Sequence, residues 1–233
     1  MIFRIASYNL HKCVGTDGQR NPERILSVIN ALSADVIALQ EVDRRMGNRP
    51  AALPESLIGA ETDFRLAELP RTGPESLGWH GQTVLLRKGG RIDAADGFVL
   101  PGLEPRGALS LVIEPRGLPP VTLIAAHLGL RRMDRRLQWQ AIAERMRDAQ
   151  APALAIGDFN EWSQQKGFEA LAPFDVHIPG PSYPSRAPIG RLDRLVTGPG
   201  LQVARMGVFD SPLARRASDH LPIWADIAIT PAG

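Results

Sequence analysis

The chain has 233 residues, of which 44% are hydrophobic and 22% are charged, and its formal net charge is +2. Its one cysteine, Cys13, excludes an internal disulfide framework and a cysteine metal cage, and no apolar run approaches the roughly 18 residues of a membrane span. The apolar start is broken at Arg4, Ser7 and Asn9, which is atypical of a signal peptide, so we expect a cytoplasmic protein.

The first part of the chain alternates predicted strands and helices. Residues 2–8 predict a strand, and Asn21 followed by Pro22 predicts the start of a helix over 22–33. The apolar run 35–42 predicts a strand buried on both faces, which completes a strand–helix–strand unit. The elements expected next are a short helix near 53–58 and strands at 81–88, about 107–114 and 121–128.

The longest predicted helix spans residues 131–149. The residues expected on its inward face are Met133, Leu137 and Ala141, joined by Trp139, Ile142 and Met146. The last predicted strands are 152–158, 191–197, 202–208 and 221–229. Because no repeat and no long linker divides the chain, we expect one α/β domain over residues 1–233, with two sheets and helices packed outside them.

Several predicted strands end in polar side chains. These are Asn9, Glu41, His127 and the run Asp158–Phe159–Asn160, while Asp193 lies within a further strand and Asp219–His220 precedes the last one. Ligand sites outside strand ends are common in open α/β sheets. Carboxylates, amides and imidazoles suit a hard cation such as Mg²⁺ or Mn²⁺, and they suit phosphoryl chemistry in which a base activates water.

Seven short motifs occur in a fixed order along the chain. They are SYNLHK (7–12), LQEVD (39–43), PRGAL (105–109), AHL (126–128), GDFN (157–160), RLDRLV (191–196) and SDHLPI (218–223). In these motifs the sequence resembles the endonuclease/exonuclease/phosphatase superfamily, which includes DNase I, exonuclease III-like AP endonucleases, neutral sphingomyelinases and inositol polyphosphate 5-phosphatases. The resemblance implies a DNase I-like four-layer αββα sandwich, in which two packed mixed β-sheets are flanked by helices.

The resemblance also implies a metal site and a catalytic group. Glu41 would be the principal Mg²⁺ ligand, with Asn9 beside it and Asp219 near the metal, and Mn²⁺ is an expected substitute. Asp193 would orient His220 through a carboxylate–imidazole hydrogen bond.

The remaining implied roles concern water and phosphate. Asp158 would orient or deprotonate the attacking water, Asn160 would donate to the pentavalent phosphate, and His127 would help to protonate the leaving oxygen. His80 stands near the position where DNase I-like members carry a glutamate, so His127 is expected to lack that acidic partner.

Four residues are candidates for substrate binding. Arg106 matches an arginine that contacts substrate phosphate in DNase I-like members, and His11 and Lys12 lie beside Asn9. Arg131 begins an arginine-rich helix just after His127, which suits phosphate or anionic lipid headgroups.

These features predict a Mg²⁺-dependent phosphodiesterase, active on a phospholipid headgroup or a small-molecule diester. A DNA or RNA nuclease is the alternative, although the net charge of +2 does not argue for nucleic acid and the Tyr8–Asn9 and LQEVD motifs differ from those of AP endonucleases. A phosphomonoesterase and a catalytically silent binding module are the remaining alternatives. We expect a monomer without a transmembrane segment, and contact with a membrane surface is among its expected interactions.

Overall fold

The computed structural model describes residues 2–230, which contain two six-stranded β-sheets. Across the first sheet the strands run β11 (Leu201–Val208), β12 (Ile223–Ile229), β1 (Ile2–Asn9), β2 (Val36–Gln40), β4 (Gln82–Arg87) and β3 (Phe64–Leu66). Strand β1 pairs in parallel with β2, and the other neighbours pair antiparallel. The first sheet is therefore mixed.

The second sheet has the same mixed character. Its strands run β5 (Arg91–Leu100), β6 (Arg106–Glu114), β7 (Val121–His127), β8 (Ala153–Asp158), β10 (Asp193–Thr197) and β9 (Asp175–His177). Strands β7 and β8 are parallel, and the other neighbours are antiparallel.

Alternation along the central strands assigns their two faces to different cores. In β1, Phe3 and Ile5 pack between the two sheets, whereas Ala6 and Tyr8 pack under the helices. The helices are α1 (Pro22–Ala31), α2 (Glu55–Glu61) and α4 (Pro212–Ala217) outside the first sheet, and α3 (Arg132–Arg147) outside the second. The predicted four-layer αββα sandwich is confirmed.

Some elements escaped the sequence patterns. The short strands β3 and β9, the edge strand β5 and helix α4 were not predicted. Only Leu100 of β5 is buried, so the strand lacks the apolar alternation by which a half-buried strand is recognised. Asn21 does cap α1, because its side chain accepts a hydrogen bond from the Arg24 amide at 2.7 Å.

The expected inward face of α3 was partly wrong. Met133 and Leu137 are exposed, whereas Asp134, Arg135 and Gln138 are buried. These three polar side chains bind backbone groups of neighbouring loops, which compensates for their burial. Trp139, Ile142 and Met146 are buried as predicted.

Strand register brings the polar strand ends to one edge of the sandwich. His127 lies opposite Asp158 in the parallel β7–β8 pair, and Asp158 lies opposite Asp193 in the antiparallel β8–β10 pair. Asn9 lies opposite Gln40 at the end of the β1–β2 pair, so Glu41 follows at the same edge. Within residues 2–230, no helix combines the length and apolarity that a membrane crossing requires.

Candidate active site

The Asp158 carboxylate lies at the centre of the candidate site. Its side chain is almost completely buried, and Oδ2 accepts a hydrogen bond from the Asn9 amide nitrogen at 3.0 Å. The same oxygen lies 3.4 Å from His127 Nε2 and 3.6 Å from His220 Nε2. Residues from both sheets thus place an amide and two imidazoles around one carboxylate oxygen. We call Asp158, Asn9, His127 and His220 the Asp158 group.

His220 belongs to a buried three-residue chain of hydrogen bonds. The Ser182 hydroxyl donates to Asp193 Oδ2 at 2.5 Å, and the same oxygen contacts His220 Nδ1 at 2.9 Å. Burial opposes protonation of the ring, but the Asp193 and Asp158 carboxylates outweigh it and raise the pKa of His220 to about 10. His220 is therefore an imidazolium at neutral pH, and its Nε2 is directed towards Asp158.

His127 has the opposite protonation behaviour. Burial lowers the pKa of His127 to about 4, although the Asp158 carboxylate acts in the other direction. His80 is not its partner, because the His80 ring is bonded to the Pro105 carbonyl at 3.0 Å. Asp158 is the acidic neighbour of His127, and the two site histidines differ in charge at neutral pH.

Glu41 occupies a left-handed backbone position directly after β2, with φ of 54°. Lys12 also has positive φ, in a short 3₁₀ turn after β1 (His11–Cys13), and its ammonium group bonds the Glu41 carboxylate. Burial alone would raise the pKa of Glu41, but His127 and Lys12 outweigh burial and lower it to about 2. The Glu41 carboxylate is therefore ionised and is paired with Lys12 in this structure.

Asp219 and His11 lie at the side of the site formed by the first sheet. The His11 amide donates to Asn9 Oδ1 at 3.0 Å, and His11 Nδ1 lies 3.9 Å from Asp219 Oδ1. The Ser218 hydroxyl donates to the Asn9 carbonyl at 2.7 Å. These contacts connect the ends of β1 and of the segment before β12.

Asn160 lies in the loop directly after β8. Its amide donates to Asp158 Oδ1 at 3.1 Å, and its side-chain nitrogen donates to the Leu128 carbonyl at 2.9 Å. The expected phosphate donor is thus already anchored to a neighbouring loop, with one of its two N–H groups in use.

The two expected substrate arginines have different surroundings. Arg106 forms an ion pair with Glu104 at 2.9 Å, and, beside burial, its charge lowers the pKa of His127. Arg131 is exposed at the N-cap of α3.

The available donors suit a hard cation. Asp158, Asp193 and His220 each offer one ligand atom, and these atoms lie within 4.8 Å of one another. Asp193 and His220 are bonded to each other, however, whereas Glu41 and Asp219 provide partly exposed carboxylate oxygens, and the buried Asn9 provides an amide oxygen. Oxygen donors with an ionised glutamate fit Mg²⁺ or Mn²⁺, and Lys12 is the cationic group at Glu41 in this structure.

Three neighbours of the site were missed at the level of sequence. Ser182 bonds Asp193, the Tyr183 ring lies against His220 with centroids 4.8 Å apart, and Ser218 bonds the Asn9 carbonyl. Ser218 lies within the SDHLPI motif and could have been found there. Ser182 and Tyr183 lie in a turn without a motif, so only the fold reveals them.

Comparison with known proteins identifies the family of the chain. The family model described as "Endonuclease/Exonuclease/phosphatase family" matches residues 6–220. The chain belongs to the endonuclease/exonuclease/phosphatase family. No curated protein matches the sequence.

Three solved structures illustrate the shared fold. An endonuclease/exonuclease/phosphatase from Beutenbergia cavernae DSM 12333 is 23% identical, with a TM-score of 0.75, and the match covers 99% of this chain and 72% of that one. The mannosyl-6-phosphatase Bt3783 of Bacteroides thetaiotaomicron VPI-5482 is 18% identical, with a TM-score of 0.76 and coverage of 97% and 100%. D. rerio TDP2, complexed with single-strand DNA product, is 16% identical, with a TM-score of 0.75 and coverage of 97% and 99%.

Proposed function

We propose that this member of the family is a Mg²⁺-dependent phosphodiesterase that hydrolyses a phosphate diester by attack of water. The observation that supports this most is the convergence on Asp158 Oδ2, where Asn9, His127 and His220 all lie within 3.6 Å. Hydrolysis of a diester needs a base for water, a positive group for a phosphate oxygen and a proton for the leaving oxygen. The Asp158 group can meet these needs without a covalent intermediate.

Each side chain has a role in the proposed reaction. Asp158 orients water and accepts its proton, while Asn160 donates to a phosphate oxygen. His220, held by Asp193, is the protonated group, and its Nε2–H is directed to the phosphate, as the resemblance implies. His127 helps to protonate the leaving oxygen: its Nε2, 3.4 Å from Asp158 Oδ2, can take up the proton that Asp158 accepts from water and pass it on. The products are a phosphomonoester and an alcohol.

Glu41, Asn9 and Asp219 are the proposed metal ligands. A Mg²⁺ ion held by these residues would supply charge neutralisation to the phosphate, and Mn²⁺ is the proposed substitute. A metal ligated by Glu41 would compete with Lys12, whose ammonium bonds one oxygen of that carboxylate. A Lys12 ammonium displaced in this way would be free to meet phosphate, together with His11, Arg106 and Arg131.

The proposed substrate is a phospholipid headgroup or a small-molecule diester. A nuclease is the second candidate function, because TDP2, which has the same fold, is complexed with a single-strand DNA product. A phosphomonoesterase is the third, because the mannosyl-6-phosphatase also has this fold. Both relatives share less than a fifth of their residues with this chain, so their substrates do not carry over to it. A single catalytic domain over residues 1–233, monomeric and cytoplasmic, remains a prediction from the sequence.

A substrate panel tests the proposal. Purified protein with Mg²⁺ is incubated with phosphatidylglycerol, sphingomyelin, bis-p-nitrophenyl phosphate, supercoiled plasmid, abasic duplex, single-stranded RNA and p-nitrophenyl phosphate, and products are identified by ³¹P NMR. We expect a phosphomonoester product from a lipid or small diester, and loss of that product in His220→Ala. Release of inorganic phosphate from the monoester alone, or cleavage of nucleic acid alone, would contradict the proposed diester substrate.

A further inference from the structure

Three large apolar side chains are exposed together at one side of the active-site edge. Leu103, Leu130 and Met133 have relative exposures of 78%, 66% and 72%. They come from the loop between β5 and β6, the loop after β7 and the first turn of α3. Isolated apolar residues are common on protein surfaces, but three on neighbouring segments form a patch.

Buried and half-buried polar side chains bind the backbone of this apolar patch. Asp134 accepts a hydrogen bond from the Leu103 amide at 3.1 Å, and Glu104 accepts one from the Leu130 amide at 2.8 Å. Gln138 is completely buried and bonds both the Pro101 carbonyl and the Gly129 amide. The backbone beneath the patch is therefore fixed, and its apolar side chains are held outwards.

The patch is connected directly to the active site. Leu128, two residues before Leu130, accepts the Asn160 side-chain hydrogen bond at 2.9 Å. Glu104, next to Leu103, also binds Arg106. The patch thus borders the mouth of the Asp158 group.

Three further exposed apolar side chains lie on loops around the same mouth. Met46 follows Glu41 in the loop after β2, and Ile189 lies in the turn that begins at Tyr183. Trp162 follows Asn160, and its ring lies edge-on to Tyr183, which itself packs against His220. The apolar side chains therefore surround the mouth on several sides.

The same loops are strongly basic. Residues 44–50, 101–105, 128–133, 161–167 and 183–191 contain seven arginines and one lysine against two acids. Both acids are neutralised, because Glu104 binds Arg106 and Glu161 binds the buried Arg135. An anionic surface would meet positive charge from exposed side chains such as Arg131 and Arg132.

We propose that this rim docks the protein onto an anionic phospholipid bilayer, with Leu103, Leu130 and Met133 inserted at the headgroup boundary and the arginines on lipid phosphates. Exposed aliphatic side chains among arginines match a surface that is anionic outside and apolar beneath, whereas a nucleic acid offers the charge without the apolar layer. This inference rests on the proposed function, since docking would present headgroup diesters to the site.

Vesicle sedimentation tests the docking surface. Binding is measured in EDTA, which prevents metal-dependent turnover, with sucrose-loaded vesicles of phosphatidylcholine or of phosphatidylcholine with phosphatidylglycerol at a 7:3 ratio. The rim variant carries Leu130→Ser and Met133→Ser. The matched control carries Ile2→Ser and Met206→Ser, two exposed apolar positions at the start of β1 and in the edge strand β11.

We expect the wild-type protein to prefer anionic vesicles, the rim variant to bind them about tenfold more weakly or worse, and the control to bind within about twofold of wild type. Thermal unfolding confirms that both variants are folded. Absence of wild-type binding to anionic vesicles, unchanged binding by the rim variant, or equal losses in rim and control variants would each overturn the proposal. Loss of affinity for a 30-base-pair DNA duplex in the rim variant, with vesicle binding kept, would reassign the surface and also overturn it.

Turnover of bis-p-nitrophenyl phosphate separates this inference from the proposed function. The rim variant should hydrolyse this soluble diester as the wild type does, because its substitutions lie outside the Asp158 group. Vesicle binding without turnover of any diester would refute the proposed function alone. Turnover without vesicle binding would refute the docking surface alone.

Discussion

Replacing Ser182 with alanine tests whether the hydrogen bond to Asp193 supports His220. The Ser182 side chain is completely buried, and its hydroxyl donates at 2.5 Å to the carboxylate oxygen that contacts His220 Nδ1. Without it, Asp193 loses a donor and the orientation of the imidazole is less constrained. Ser182 is a positioning residue, because it acts on the reaction through Asp193 and His220.

The structure sets the expected size of the effect. A hydrogen bond to a charged group contributes roughly 1.5–3 kcal/mol, and each 1.4 kcal/mol is about a tenfold change in rate. If this stabilisation is expressed mainly in the transition state, kcat falls by about 10- to 150-fold. KM should change by less than about twofold, since Ser182 is not expected to touch the substrate.

The assay is steady-state hydrolysis of bis-p-nitrophenyl phosphate at saturating Mg²⁺. Ser76→Ala is the matched control, because the Ser76 hydroxyl is also completely buried but donates to a neutral acceptor, the Arg49 carbonyl, at 3.0 Å. The control should lose some thermal stability and keep kcat within about threefold. A folded Ser182→Ala variant with more than half of the wild-type kcat, or equal losses in both variants, would refute the positioning role.

Two further predictions concern stability. Gly157→Ala should lower the free energy of unfolding by about 3 kcal/mol or more, because the added Cβ would lie 1.8 Å from the Ala126 carbonyl oxygen. Gly59→Ala lies in open space on α2 and should raise the free energy of unfolding by about 0.5–1 kcal/mol. Urea denaturation measures both changes, and equal effects would contradict the packing argument. Asp226→Asn should cost about 1–3 kcal/mol at pH 7, because the Asp226 carboxylate binds Arg4 at 2.7 Å. The hydrogen bond from Arg4 lowers the pKa of Asp226 in the folded state, so this stabilisation is lost as the pH falls below about 4, and a cost that is constant from pH 7 to pH 3 would contradict it.

The layered fold and the convergence of the polar strand ends at one edge could be predicted because strand ends carry local signals. Apolar runs ending in Asn9, Glu41 or Asp158 place these side chains at one sheet edge, and the register of the strands then brings the Asp158 group together. Family resemblance supplied the roles, and the geometry agrees with the expected Asp193–His220 pair.

Other features could not be read from the sequence, because they depend on partners far away along the chain. Asp134 is buried since it binds the amide of Leu103, 31 residues earlier, and this reverses the expected inward face of α3. The sequence does not distinguish the two site histidines. In the structure, burial dominates the pKa of His127, whereas two carboxylates dominate the pKa of His220. Such differences arise only from the assembled surroundings.

Metal-dependent release of p-nitrophenol from bis-p-nitrophenyl phosphate tests the central claim most directly. The protein is stripped with EDTA, dialysed and titrated with Mg²⁺, in parallel with His220→Ala. We predict no turnover without metal, saturable recovery with Mg²⁺, and a loss of at least about a thousandfold in kcat in the folded His220→Ala variant. Turnover that survives chelation, or that falls less than about tenfold in His220→Ala, would contradict the account.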